Sequence, residues 1–184
     1  MASFLFFGCP AILVILAAVT LLILLRQFFP RPKTPGCLAL ITGASSVIGA
    51  ELSYIFAEKG YDLILVRRNQ QQLDAVKNNV VGKYGRKAYT ISSDLSIPGA
   101  AKQLYDPVIE KVFTVDVLVN GAGLGGAGDT FEQPIELVEA MTTLNCRTLI
   151  VLSQLFGRDL IKRGRGWMLQ ISSVGGKTYH FTLT

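Results

Sequence analysis

The sequence predicts an α/β fold in which helices cover both faces of a doubly wound parallel sheet. Two observations lead to this prediction: short uncharged apolar runs alternate with longer stretches of helical periodicity, and a glycine turn joins the first run to the first helix. Continuous apolar runs are typical of strands buried on both faces, and their alternation with helices indicates right-handed βαβ units. Ligands of such sheets bind beyond the carboxyl ends of the strands, so the residues after each strand form the candidate site.

About five strands and four helices are expected after residue 36. Each strand is a short apolar run such as residues 63–66. Each helix has apolar residues three or four positions apart, such as Leu73, Val76 and Val80, and Gly60 ends the first helix. The predicted strands are residues 38–41, 63–66, 88–91, 115–119 and 167–171, and the predicted helices are residues 46–59, 70–84, 98–112 and 134–163.

A separate apolar segment precedes the predicted sheet. Residues 4–25 carry no charge, and as a helix they would be about 33 Å long, enough to cross a hydrocarbon core of about 30 Å. A cleaved signal peptide is the alternative, but residues 1–3 contain no basic residue and the apolar run is longer than usual. We expect a transmembrane anchor at residues 4–25, a proline-rich linker at 26–36 and one domain at 37–184.

The charge pattern gives this anchor an orientation. Arg26, Arg31 and Lys33 follow the apolar run, and basic residues favour the cytoplasmic side of a membrane. The expected location is therefore a single-pass membrane protein, in the endoplasmic reticulum, with its domain in the cytosol. The formal net charge is +5, and without these three residues only +2 remains, so nothing predicts a nucleic-acid partner. The three cysteines are scattered without metal-binding spacing, so no metal site is expected.

The turn after the first strand carries the strongest motif. Residues 42–51 read TGASSVIGAE, and a glycine turn between a strand and a helix lets the backbone approach a pyrophosphate. The stretch resembles the TGxxxGxG motif of the short-chain dehydrogenase/reductase family, with Val47 at the middle glycine. The resemblance covers residues 38–177. It is strongest to the DltE-like branch, and looser to membrane-anchored 3-ketoacyl-CoA reductases and hydroxysteroid dehydrogenases.

This resemblance implies a Rossmann-type domain that binds a nicotinamide dinucleotide. A side chain at position 47 crowds the cofactor if its backbone is helical and is strained if its φ is positive. The cofactor-binding residues that the resemblance implies in this turn are Thr42, Gly43, Ser45, Ser46, Ile48 and Gly49.

The end of the second strand indicates which dinucleotide is bound. Arg67 and Arg68 occupy the place where NAD-binding sheets carry an acidic residue, and guanidinium groups suit a 2′-phosphate. The predicted cofactor is therefore NADP(H), bound through Arg67. The alternative is that the two arginines only begin a solvated helix.

Two further strand ends match the family pattern. After the third strand, Asp94 and Leu95 match the place where the family binds adenine, although Asp94 or Ser96 could instead cap a helix. After the fourth strand, residues 120–123 read NGAG and resemble the family's NNAG, with Gly121 at the second asparagine. The resemblance implies that Asn120, Gly121, Ala122 and Gly123 lie against the adenosine ribose.

The resemblance also implies catalytic roles for two residues. Asn145 lies inside a predicted helix, where asparagine is unfavourable, and its family counterpart holds a water in a proton relay; an exposed polar helix residue is the alternative. Ser173 follows the fifth strand and matches the serine that hydrogen-bonds the substrate carbonyl. The family's YxxxK motif, which protonates the substrate, would be expected about 13 residues later, so we expect a truncated domain that lacks this motif and the family's dimerisation helix.

Two functions follow from these residues. The first is an NADPH-dependent carbonyl or ketone reductase acting on a lipophilic substrate, impaired in this chain by the loss of the tyrosine and lysine. The alternative is a membrane-tethered module, truncated or degenerate, that binds a nucleotide without catalysis.

Overall fold

The computed structural model describes residues 37–126 and 130–173 of the chain. These residues form one sheet of five parallel strands in the order β3-β2-β1-β4-β5, which confirms the predicted doubly wound sheet. The strands are β1 (Leu38–Thr42), β2 (Asp62–Arg67), β3 (Ala88–Ser92), β4 (Val115–Asn120) and β5 (Trp167–Gln170). Strand order reverses beside β1, so β1 and β4 flank the place where such sheets bind ligands.

Within residues 37–126 and 130–173, five α-helices connect these strands. They are α1 (Val47–Glu58), α2 (Gln70–Tyr84), α3 (Ala100–Glu110), α4 (Ile135–Thr142) and α5 (Leu149–Lys162). A 3₁₀ turn at Thr130–Glu132 precedes α4, and a π-helical segment at Thr143–Thr148 separates α4 from α5.

Residues 135–162 form an uninterrupted helical run, as predicted, but its middle is a π-helical segment rather than an α-helix. Residues 143–148 read TLNCRT, mostly poor helix formers, and two of their side chains bond outside the helix. The Thr148 hydroxyl donates to the Leu95 carbonyl at 2.8 Å, and Asn145 bonds to Leu124. These external bonds hold a π-helical turn, a distortion that often occurs at functional sites.

The strands are buried because helices cover both faces of the sheet. Helices α3 and α5 contact each other and lie on one face, where Leu104 and Phe156 pack against Leu40 and Leu118. Successive side chains of a strand point to opposite faces, so Ile41 and its equivalents face α1 and α2, which also contact each other. The resulting two-sided core fixes where the strand ends lie.

The predicted anchor (residues 4–25) and linker (residues 26–36) lie outside the described residues. Within the described residues, none of the helices combines the length and the apolar character needed to cross a bilayer. The anchor and its orientation therefore stay predictions.

Candidate nucleotide-binding site

A tight glycine turn closes the carboxyl end of β1. Gly43 has a φ of +71°, and a Cβ atom there would lie 2.6 Å from the Gly121 carbonyl oxygen. A Cβ atom on Gly49 would lie 2.1 Å from the Gly43 carbonyl oxygen. Because both contacts are with backbone atoms, these two positions accept only glycine without a shift of the turn. The backbone at Gly43 and Gly49, where the turn enters α1, therefore carries no side chain.

The Thr42 side chain ties the two central strands together at this point. Its hydroxyl donates to the Val119 carbonyl at 3.3 Å, and it accepts from the amides of Gly121 at 3.1 Å and Ala122 at 3.2 Å. Thr42 is buried and does not line the cleft described below. Thr42, which the resemblance places in the cofactor site, therefore supports the turn from beneath.

The start of α1 shows how Val47 is accommodated. The Ser46 side chain caps the helix by accepting from the Gly49 amide at 3.0 Å, and Val47 is the first helical residue. Val47 is not among the described residues with positive φ, and its side chain is 86% exposed. Of the two possibilities raised by the sequence, the structure shows the unstrained helical one. Ile48 is also exposed, on the first turn of the helix.

A cleft opens at the carboxyl ends of β1, β2 and β4. It collects most of the residues that the sequence assigns to the cofactor. Its lining residues are Gly43, Ser46, Val66, Arg67, Arg68, Ser93, Asp94, Leu95, Ser96, Gly121, Ala122, Gly123, Leu124 and Leu144. The sequence analysis did not assign five of these residues to the cofactor, although they are neighbours of predicted residues in sequence or space: Val66, Ser93, Ser96, Leu124 and Leu144.

The two arginines of the cleft have different partners. Arg67 donates from Nη1 to the Ser45 hydroxyl at 3.2 Å, so Ser45 supports the guanidinium from the glycine turn. Arg68 forms an ion pair with Asp94, with 3.7 Å between Nη1 and Oδ2. The alternative of two solvated helix-start residues does not describe Arg67, whose side chain is held against the turn.

Asp94 stabilises a turn rather than a helix. Its Oδ1 accepts from the Ser96 amide at 2.9 Å and from the Ser96 hydroxyl at 2.6 Å, whereas the N-cap of α3 is Gly99. Burial by itself raises the pKa of Asp94, but the hydrogen bonds from Ser96 and the positive charge of Arg68 outweigh it and lower the pKa. An ionised carboxylate therefore sits in the cleft wall.

The Asn120 side chain turns away from the cleft. Its Nδ2 donates to the Ser153 hydroxyl at 3.1 Å and to Gln170 Oε1 at 3.0 Å, and Gln170 Nε2 donates to Ser153 at 2.8 Å. Sequence reasoning missed Ser153 and Gln170 because they lie 33 and 50 positions from Asn120. Asn120 thus joins β4, β5 and α5, and only the following residues of its motif line the cleft.

The predicted catalytic residues occupy two different elements. Asn145 lies in the π-helical segment and pairs with the backbone of Leu124, accepting from its amide at 2.9 Å and donating to its carbonyl at 2.8 Å. Ser173 is exposed, three residues beyond β5. The structure therefore places Asn145 against the loop that borders the cleft, and neither residue is part of the cleft lining.

A glycine turn after the first strand and a doubly wound parallel sheet are typical of dinucleotide-binding domains. A family model for short chain dehydrogenases matches residues 38–184. The chain belongs to the short-chain dehydrogenase family. This membership confirms the resemblance that the TGxxxGxG-like turn and the NGAG sequence predicted, whereas the DltE-like branch is not decided by it.

Other short-chain dehydrogenases match over most of this chain. A very-long-chain 3-oxoacyl-CoA reductase of Pyrenophora tritici-repentis is 33% identical over 178 residues, covering 92% of this chain and 51% of the relative. A short-chain dehydrogenase from Sphingobium yanoikuyae in complex with NADPH has a TM-score of 0.72 at 32% identity, covering 77% of this chain and 55% of that one. A metagenomic short-chain oxidoreductase in complex with NADP has a TM-score of 0.73 at 30% identity, covering 79% and 65%. This chain spans about half the length of the curated reductase.

Proposed function

We propose that this chain provides the NADP(H)-binding part of a carbonyl or ketone reductase. The observation that carries the proposal is the cleft at the switch point of the sheet, which combines a bare glycine turn with two guanidinium groups. An oxidoreductase of this family is supported by the family match, and NADP(H) is supported by the relatives whose structures contain NADPH or NADP.

The residues of the cleft suit the parts of NADP(H). The backbone at Gly43 and the start of α1 offer amide groups to the pyrophosphate, because a helix N-terminus favours anions. Arg67 offers a planar donor to the 2′-phosphate. Asp94 and Leu95 border the adenine position, and Gly121 to Gly123 border the ribose. Bound there, the nicotinamide would supply the hydride of the reduction.

We extend the proposal to the substrate and the location. A lipophilic ketone or 3-oxoacyl substrate is supported by the 3-oxoacyl-CoA reductase relative and by the uncharged residues 4–25, which would anchor the protein in the endoplasmic reticulum membrane with the domain in the cytosol. Asn145 and Ser173 would contribute to the proton relay and to carbonyl binding. The YxxxK motif does not occur in residues 1–184, so ketone reduction is proposed for a protein that supplies it.

Titration with NADPH and NADH tests the cofactor proposal directly. We expect NADPH to bind the 184-residue chain more tightly than NADH, and Arg67→Gln to weaken NADPH binding roughly tenfold, because it removes a charged hydrogen bond to the 2′-phosphate. NADH binding should change little. Binding is measured by the fluorescence of the reduced nicotinamide.

Lys102→Gln is the matched control, because Lys102 lies on α3 and pairs with Asp106 outside the cleft. It should leave both affinities unchanged. Tighter binding of NADH than of NADPH, or equal losses for both cofactors on Arg67→Gln, would contradict the role assigned to Arg67.

A further inference from the structure

The charged residues in the loops at the amino ends of the strands are all basic. We call the four loops that lead into β2, β3, β4 and β5 the amino edge; they are residues 59–61, 85–87, 111–114 and 163–166. These loops contain six basic residues and no acidic one. The six are Lys59, Arg86, Lys87, Lys111, Arg163 and Arg165.

Acidic residues of the neighbouring elements neutralise part of this charge. Arg86 pairs with Asp62 at 2.8 Å and Arg165 pairs with Asp116 at 3.7 Å, both at strand starts. Basic residues at helix C-termini also complement the helix dipole, which gives an ordinary reason for some of them. Charge alone therefore does not define a binding surface here.

A valine occupies the position after α3 at which α1, α2 and α5 have a glycine. Helices α1, α2 and α5 each end in a left-handed glycine, namely Gly60, Gly85 and Gly164, with φ values of +100°, +62° and +64°. Helix α3 ends in the same way, but the left-handed residue is Val112, with a φ of +58°. The hydrogen bonds are those of a regular helix end, since the Val112 amide donates to Ile109 and the Phe113 amide to Val108.

Val112 carries two costs that glycine would avoid. A β-branched residue is strained in the left-handed region. Val112 is the only non-glycine residue with positive φ among the residues that the structure describes. Its side chain is also 86% exposed to solvent. Exposure is shared with other apolar residues such as Val47 and Phe131, whereas the left-handed strain distinguishes Val112 among the described residues.

The neighbourhood of Val112 has the composition of a membrane-contacting surface. Lys111 is exposed beside it, and Ile161 at the end of α5 is largely exposed next to Lys162. Helices α3 and α5 pack together, and Arg163 donates to the Val115 carbonyl, so both helix ends lie at the same edge. Apolar tips surrounded by basic residues bind the interface of anionic bilayers.

The nucleotide cleft lies at the carboxyl ends of the strands, opposite the amino edge. A bilayer bound at the amino edge would therefore leave the cleft uncovered.

We propose that the amino edge rests on an anionic phospholipid bilayer, with Val112 inserted among the headgroups and the basic loops bound to lipid phosphates. The presence of a membrane rests on the location given under Proposed function, whereas the contact itself is argued from the described residues of the amino edge. The nucleotide cleft then faces away from the lipid.

The test places a tryptophan at Val112 and reads its contact with lipid. The full chain, with its only tryptophan removed by Trp167→Phe, is reconstituted into phosphatidylcholine vesicles that contain phosphatidylserine and brominated lipids. Val47→Trp is the matched control, because Val47 is the same residue type, is equally exposed at 86%, and lies at the carboxyl ends of the strands.

We expect quenching in the Val112→Trp variant at least about twofold stronger than in the Val47→Trp variant, decreasing when phosphatidylserine is omitted or salt is raised. Adding Lys111→Gln should raise the phosphatidylserine content needed for half-maximal quenching. Equal quenching at the two positions, or none at position 112, would overturn the proposal whether or not the chain stays with the vesicles.

Hydrogen exchange of the unmodified chain provides a second test that does not depend on the folding of any variant. Amides of residues 111–114 should exchange more slowly with phosphatidylserine vesicles than with pure phosphatidylcholine vesicles, while those of residues 43–49 should not change. No slowing at residues 111–114 would also overturn the proposal. NADPH titration is read separately, so a failed cofactor proposal and a failed membrane contact give different results.

Discussion

The two ends of the same five strands use glycine for different physical reasons. At the carboxyl ends, a Cβ atom on Gly43 or Gly49 would collide with backbone at 2.6 or 2.1 Å. At the amino edge, a Cβ atom on Gly85 or Gly164 would meet nothing within 4 Å, and only the positive φ favours glycine. A steric collision excludes every residue except glycine, whereas a dihedral preference only disfavours the others. Val112 occupies such a disfavoured position. Gly43 and Gly49 are therefore required by space, whereas Gly85 and Gly164 are favoured by conformation alone. Gly166 of the amino edge combines both reasons, since its φ is +130° and a Cβ atom there would lie 2.8 Å from the Asp116 carbonyl oxygen.

Gly49→Ala should give the largest effect of any change in this comparison. The added methyl group meets the Gly43 carbonyl, so we expect a loss of about 3 kcal/mol in the free energy of unfolding together with loss of NADPH binding. Urea denaturation and NADPH titration measure the two effects. Gly82→Ala is the control: its methyl group meets nothing within 4 Å on helix α2, and it should stabilise by about 0.5–1 kcal/mol. Equal effects at the two positions would remove the spatial argument.

Thr42→Val should give the next largest effect, because it leaves a similar shape but removes a buried hydroxyl. The amides of Gly121 and Ala122 lose their acceptor, which should cost about 1–3 kcal/mol and weaken NADPH binding. Thr42→Ser keeps the hydroxyl and should recover most of both losses, as followed by thermal unfolding. If serine were as damaging as valine, packing of the methyl group would matter as much as the hydroxyl for holding β1 to β4.

Val112→Gly should act in the opposite direction and stabilise the domain. Relief of the left-handed strain should raise the free energy of unfolding by about 1 kcal/mol, and Gly85→Val should lower it by about as much. Urea denaturation of the two variants provides the measurement. A destabilised Val112→Gly variant would show that the valine contributes packing inside the domain.

Asp94→Asn should give the smallest effect, visible only in acid. The pKa of Asp94 is lower in the folded domain than in the unfolded chain, so its contribution to stability is present above the unfolded pKa and disappears as the pH falls from about 4 through the lowered pKa. Because Arg68 and Asp94 are 64% and 38% exposed, we expect at most about 0.5 kcal/mol. Stability measured between neutral pH and acid should fall less steeply in Asp94→Asn and in Ser96→Ala. An unchanged slope would contradict the assigned partners.

Hydrophobic patterning was enough to predict the sheet, because strands covered on both faces must be continuously apolar. The cleft residues from Gly43 to Gly123 could be placed for the same reason, since they follow strands whose order is constrained. The π-helical segment could not be predicted, because apolar spacing hardly differs between one helix and two helices joined by a single wide turn. The partners of Asn120 could not be predicted either, because they depend on the register of β5. The left-handed conformation of Val112 could not be predicted, because its sequence resembles an ordinary entry into a strand.

Thr42 has a consequence for the energetics of the whole sheet. Its hydroxyl uses one donor and two acceptor positions, which is its full capacity, so no hydrogen bond is left for a ligand. The same three bonds hold the floor of the cleft and the β1–β4 junction, so separating these strands also dismantles the nucleotide site. Binding and sheet opening are then thermodynamically linked: NADPH at 100 times its dissociation constant would raise the free energy of separating β1 from β4 by about 2.7 kcal/mol.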